Sequence, residues 1–380
     1  MKSQLEQVLE TRAVTVSHDN DIPLTTLTRI RRGRRAVWAG VTFIVALASV
    51  GAVGLASRLD RGHSLVVSTT SSWRYLGVID LDPHNTGLRP YQYNVSTGRG
   101  YFWINTGRGV VRFDPTRKAT AFLDAPSALH LPSFASAIES LVVSDQGVWL
   151  FHQTLRGSST REAVSLVDFT SGRLVASILL PKVQLVRGHS DRPIAIDSVN
   201  DRVWVANGGA GNSQAVLIAE HSHRLLRTLL LGPASNLSLA ITTSGAWITT
   251  DLGLVHLSRQ GVVLGVIREL LNAYGQTVVD DNTVWLTTGE DGMVKKVDSR
   301  ASIVTKRVRL AWPSAIAFGN GAVWVLDDSE TVVRIDPTTN HITDRFKLPA
   351  LIRGPASMAV INGYLVITSM NDARAFYFAV

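Results

Sequence analysis

The chain has 380 residues with no cysteine, a hydrophobic fraction of 45%, a charged fraction of 18% and a formal net charge of +8. The missing cysteines exclude a disulfide framework, thiol catalysis, Cys-ligated zinc and a lipoprotein anchor, and leave the redox compartment open. Residues 1–35 carry +3 and the rest +5, with one dense basic run in place of a stripe interleaved with aromatics, so the charge does not point to nucleic acid.

The first 28 residues, MKSQLEQVLETRAVTVSHDNDIPLTTLT, are too few to build a core. RIRRGRR (29–35) then runs into AVWAGVTFIVALASVGAVGLA (36–56), which carries no charge and only the hydroxyls of Thr42 and Ser49. At about 1.5 Å per residue this run just crosses a ~30 Å hydrocarbon core, which predicts one transmembrane helix embedded in the lipid bilayer. Arg29, Arg31, Arg32, Arg34 and Arg35 precede it, against Arg58 and Arg61 after it. The positive-inside rule therefore keeps residues 1–35 in the cytoplasm and exports the chain beyond about Ser57. The basic run reads as an orientation signal and an anionic-lipid contact in preference to a DNA-binding arm.

Two alternatives accompany the anchor. Gly54-Leu55-Ala56 resembles a small-residue cleavage site, although the apolar run and its leader are longer than a signal peptide needs. The twin arginines suggest twin-arginine export, but the residues after them do not fit that signal. The favoured reading is a signal anchor in the cell membrane, followed by a linker (57–72).

From residue 73 onward the chain repeats. The strands YFWIN (Trp103), GVWLF (Trp149), RVWVA (Trp204), GAWIT (Trp247), TVWLT (Trp285), AVWVL (Trp324) and YLVIT recur at spacings of 46, 55, 43, 38, 39 and 41 residues, with Leu365 in the Trp slot of the last. Turn signals such as Ser244-Gly245, Asn320-Gly321 and Asn362-Gly363 precede most of them. An earlier β-rich run (PSAIAFG, 313–319), a third strand (TVVRIDP, 331–337) and a fourth (HITDRFKL, 341–348) complete the unit. Seven such units predict an all-β fold, a seven-bladed β-propeller over residues 73–380. A solenoid would need atypical capping repeats. The last unit stops after ARAFYFAV, and WRYLGVIDLDP (73–83) is placed to supply its missing fourth strand and close the ring.

GNGAVWVLDDSETVVRIDPTTNHITDRFKLP (319–349) resembles the bacterial YVTN and virginiamycin B lyase-like propeller repeats, through its Gly-x-Val-Trp-Val and Val-x-Arg-Ile-Asp-Pro-x-Thr elements. The resemblance covers roughly residues 73–380. It implies the fold and leaves function open, because that repeat hosts enzymes, binders and proteins of no known role. A short basic tail, one span and such an ectodomain also resemble an actinobacterial membrane-protein layout.

A Trp at one equivalent position in blade after blade predicts blade-to-blade packing, in preference to an aromatic cage or sugar platform. The Asp-Pro-Thr turns (Asp114, Asp336) read as Asx turns on the outer part of the blades. Ligands of propellers usually meet the loops that join strands two and three and those that join blades. Along those loops the candidates are Arg108, His152, Arg156, Asp251, Glu290, Asp291, Asp327, Asp328, Glu330 and Asp372. Blades one and two are basic there and blades four to seven acidic. That split suits a zwitterionic or cationic ligand, or a hard cation such as Ca²⁺ or Mg²⁺, although no cofactor is required.

The lyase resemblance would require a His base and a glutamate-held magnesium near the channel. Only His152 is placed to approach it; His221, His223 and His341 fall in outer turns and His256 within a third strand. NGGAGN (207–212) joins two strands and lacks the helix N-terminus of a phosphate site. No catalytic residues are assigned. The expected function is a membrane-anchored, extracytoplasmic binding, sensing or scaffold module for a protein, cell-wall or small-molecule ligand. The alternatives are a lyase or hydrolase with a metal-assisted site at the channel mouth, and a transcription-linked sensor signalling through the tail.

Overall fold

The computed structural model describes residues 73–380 except 83–92, 108, 126–128, 132–137, 157–158, 183–192, 210–211, 271–274, 329, 353–355 and 370–372. The proposed tail, span and linker lie outside the described residues, so the expected transmembrane helix is not among them. No helix among the described residues is long and apolar enough to cross a membrane.

Blade six shows how the repeat folds. Its strands are Pro313–Gly319, Ala322–Asp327, Thr331–Ile335 and Ile342–Lys347, hydrogen-bonded in sequence order as one antiparallel sheet. Gly319 pairs with Ala322 across the Asn320-Gly321 turn, where both residues have positive φ (51° and 66°). That turn matches the right-handed twist of its strands and favours Asn and Gly. The second strand is wholly buried because both of its faces meet neighbouring blades, whereas the outer strand alternates between exposed residues and ones that are partly buried or, at Phe346, buried.

Six other four-stranded sheets repeat this plan, which makes the predicted seven-bladed propeller. Ring closure follows the expectation. Arg74–Asp80 pairs antiparallel with Arg374–Ala379, so the earliest strand is the outer strand of the last blade. Trp73 adds to the closure by stacking on Phe346 of blade six at 4.2 Å.

The core consists of seven apolar seams, one between each pair of blades. Trp324 lies with Leu365, Ile367, Phe376 and Phe378 of blade seven. Trp103, Trp149, Trp204, Trp247 and Trp285 each face the following blade in the same way. All six are at most 1% exposed. The Trp repeat is therefore architecture, as its regularity predicts. Each ring contributes several kcal/mol of buried apolar area, on the order of the ~3–5 kcal/mol lost when such residues are truncated.

The hairpin register corrects one assignment. Ala317 opposes Trp324, and the matching pair in blade seven is Ala359 with Val366. Val366, and not Leu365, occupies the Trp slot. Val366 faces blade one, where Tyr377, its neighbour on the third strand, meets Phe113 at 4.8 Å. Blade seven thus supplies its aromatic from the third strand.

The outer turns also behave as expected. Oδ1 of Asp114 accepts from Thr116 N and Arg117 N, and Oδ1 of Asp336 from Thr338 N and Thr339 N. Asp168 and Asp298 form the same turn in blades two and five.

Candidate functional site

In each blade the strand two–three loop and the linker to the next blade share one face, here called the loop face. The Trp strands reach it through a further regularity that sequence reading missed: three residues after the Trp slot every blade turns polar and buried. The residues are Thr106, His152, Asn207, Thr250, Thr288, Asp327 and Ser369, none more than 6% exposed. Several hold the adjoining loop. Thr250 Oγ1 donates to Gly253 O and accepts from Leu252 N, and Thr288 hydrogen-bonds Asp291 and Met293 O.

The candidate residues separate when placed on this frame. Asp327 is 4% exposed, and its carboxylate accepts from Trp312 N at 2.7 Å and Ala311 N at 3.2 Å. It secures the linker between blades five and six. Asp251 does the same for the linker entering blade four, accepting from Ser235 N at 2.7 Å and Ser235 Oγ at 2.9 Å. Asp291 meets Lys295 at 2.7 Å; burial opposes its charge, but the Lys295 ammonium and Thr288 hydroxyl outweigh that and hold the carboxyl below its usual range. Glu330 lies 3.5 Å from Lys347. Glu290 is exposed in the short turn Gly289–Asp291, and Asp328 is exposed at φ 54°.

His152 does not line the channel. It lies wholly buried in blade two, with Nε2 2.8 Å from Ser165 Oγ and Nδ1 3.0 Å from Gln153 O. Burial pushes its pKa down to about 4, so the ring is neutral over the ordinary pH range. His256 is likewise held down to about 4 by burial, stacked on Trp247 at 4.0 Å. Arg108 and Asp372 lie outside the described residues, as does the side chain of Arg156. Among the described residues no three His, Asp or Glu side chains come together as a metal-binding group.

The inner strands of the blades surround a channel. A cavity of ≈ 540 Å³ is lined by the inner strands of all seven blades, from Ser96 and Thr97 round to Ala359 and Val360, with no charged residue among those lining it. At the loop-face end polar side chains link the inner strands from blade to blade. Ser357 Oγ accepts from Val95 N, Asn94 Oδ1 from Leu141 N, and Ser238 Oγ from Thr277 N. Gln276 reaches furthest: its amide accepts from Ile316 N of blade six and donates to Ala356 O, ahead of blade seven, at 2.6 Å. Among the described residues the inner strands are thus tied to one another at the loop-face end, with the acidic turns of blades five and six outside them.

The surface is uneven. Blade two extends its middle hairpin over Val148–Arg156 and Ser159–Val167, and blade three over Arg202–Gly209 and Asn212–Ala219, against five to six residues per strand in blade six. Two projecting hairpins therefore stand on one side of the ring, with the tight acidic turns of blades five and six on another.

No protein-family model and no curated protein matches the chain. Among solved structures it is similar to the Pan2 WD40 domain of Neurospora crassa (13% identity, TM-score 0.58, covering 80% of this chain and 94% of that one). It is also similar to BamB from Moraxella catarrhalis (14%, TM-score 0.52, 81% and 100%) and to a chain of a mitotic checkpoint complex (11%, TM-score 0.62, 90% and 99%). At these identities the likeness speaks for the fold, and the fold is a seven-bladed β-propeller.

Proposed function

We propose that the chain is a single-pass membrane protein, amino terminus in the cytoplasm, whose extracytoplasmic propeller is a non-catalytic binding or scaffold module that meets its partner with the loop face. The supporting observation is the state of that face. Among the described residues its centre carries blade-to-blade hydrogen bonds from Ser357, Asn94, Ser238 and Gln276, so the inner strands present a fixed polar surface there. Four of the carboxylates that suggested a metal are engaged in construction: Asp251 and Asp327 hold linkers, and Asp291 and Glu330 meet lysines. A partner of protein size fits such a surface, and one of the similar folds is a chain of a mitotic checkpoint complex. The YVTN-like repeat is the family reading that accompanies this proposal.

Photo-cross-linking in living cells tests it. A photoreactive residue at Asp328, on the loop face, is expected to capture a discrete partner, while one at Leu226, on the outer strand of blade three, is not. Discrete products from Leu226 alone, or from neither position, would contradict it.

A further inference from the structure

Six of the propeller's tryptophans are hidden in seams; Trp312 is 56% exposed. It stands outside the repeat, in the linker entering blade six on the loop face. Its backbone is fixed on both sides, the N–H by the buried carboxylate of Asp327 and the carbonyl by Asp328 N at 3.2 Å. The indole lies over Gly289: a Cβ there would come within 3.9 Å of Trp312 Cε2 and Nε1. A large aromatic held rigidly in water is the kind of residue that dominates protein interfaces, because it loses little freedom on binding.

The surroundings indicate the chemistry of the occupant. Asp291, Asp327 and Glu330 each have a basic neighbour, in Lys295, Arg345 and Lys347. Asp328, bonded through its backbone to Trp312, is exposed, and its carboxylate has neither hydrogen bond nor ion pair among the described residues. Inside the fold, Trp103, Trp285 and Trp324 each carry a cation over the ring, from Arg112, Lys296 and Arg334 at 5.8, 5.2 and 5.8 Å. Trp312 presents the same ring to solvent, and the residue whose backbone holds its carbonyl, Asp328, carries an unneutralised carboxylate. On the far side of blade six the next linker exposes Leu351, 49% accessible.

We infer that Trp312 and Asp328 form the anchor point for a basic, extended polypeptide segment of the partner. A lysine or arginine lies over the indole against the Asp328 carboxylate, and an apolar neighbour reaches Leu351. This deepens the binding-module reading and rests on it.

The test uses the full-length protein in detergent and three probes: blocked hexa-arginine, blocked hexaglutamate and a chitooligosaccharide. Hexa-arginine is expected to bind, to weaken as salt rises, and to lose about tenfold in affinity in Trp312→Ala and several-fold in Asp328→Asn, with hexaglutamate not bound. Neither variant should lower the melting temperature, since both side chains are exposed. Equal hexa-arginine binding by wild type and Trp312→Ala, or none by wild type, overturns the inference. So does Trp312-dependent binding of the oligosaccharide alone, which would make the indole a sugar platform. In each of those cases a persistent cross-link from position 328 in cells leaves the binding module standing and removes only this anchor.

Discussion

The main-chain N–H of Trp312 donates to Oδ1 of Asp327 at 2.7 Å, which joins the linker entering blade six to the end of that blade's second strand. Asp327 also accepts from Ala311, so one carboxylate satisfies two linker donors in a buried place. Asp327→Ala leaves both without a partner and is expected to destabilise the protein by about 1–3 kcal/mol. Asp328→Asn, one residue along, exposed and equally able to hold the positive φ of that position, should stay within about 0.5 kcal/mol. Urea denaturation of the two variants measures the difference, and equal losses would count against the clamp.

The seam tryptophans divide by the fate of the indole N–H. Trp324 Nε1 donates to Gly319 O at 3.2 Å and Trp103 Nε1 to Gly98 O at 3.1 Å, while Nε1 of Trp285 is buried with no acceptor among the described residues. Trp→Phe removes similar volume at both kinds of site, yet only Trp324→Phe also abandons a hydrogen bond. Trp324→Phe should therefore be the more destabilising of the pair by about 1 kcal/mol over Trp285→Phe. Paired thermal denaturation decides it, and the opposite order would refute the assignment.

Buried histidines set a pH dependence with a definite sign. His152 ionises near 6.5 when unfolded and is pushed down to about 4 when folded, so the unfolded chain binds the extra proton between those values. Stability is full above about pH 6.5 and declines as pH falls towards 4, by about 3 kcal/mol for this site across the whole interval. His256 acts in the same direction. His152→Gln is expected to flatten the slope between about pH 6.5 and 4 in denaturation curves; an unchanged slope would show that His152 is not the source.

The strand plan is legible in the residues because apolar alternation and Asn-Gly turns state it locally. PSAIAFG is a strand from Pro313 to Gly319, and WRYLGVID closes the last blade. Legibility fails where a role depends on a distant partner. Nothing in LDDSE reveals that Asp327 serves the backbone of residues 311 and 312, or that Glu330 meets Lys347. His152 reads as available to the channel by its place near the loop, yet its position along the strand turns it to Ser165. A spacing of 41 residues puts Leu365 in the Trp slot, but counting from the Asn-Gly turn, as the register does, puts Val366 there. Trp312 is invisible to a search for the repeat because it lies outside it. The polar residue three positions after each Trp is visible in WINT, WITT and WLTT, and reading the repeats column by column finds it.

A separate acid sensitivity should appear at lower pH. Backbone N–H groups of the outer turns hold the carboxyls of Asp168, Asp298 and Asp336 below their usual range. A depressed carboxyl contributes stability above its unfolded pKa of about 3.9, and that contribution is lost as pH falls through the folded value. The triple Asp→Asn variant keeps an acceptor oxygen in each turn and removes the titration. It should show a shallower loss of stability below about pH 4 than wild type; parallel curves would contradict the mechanism.

The proposed topology sets a cytoplasmic tail on one side of the membrane and the propeller on the other. Because the chain has no native cysteine, single cysteines can report it without background. Val199→Cys places a thiol at a position 92% exposed on the propeller, and Ser3→Cys places one in the tail. With a membrane-impermeant maleimide on intact cells, position 199 should label at once and position 3 only after permeabilisation. Labelling of position 3 in intact cells, with position 199 protected, would contradict the account.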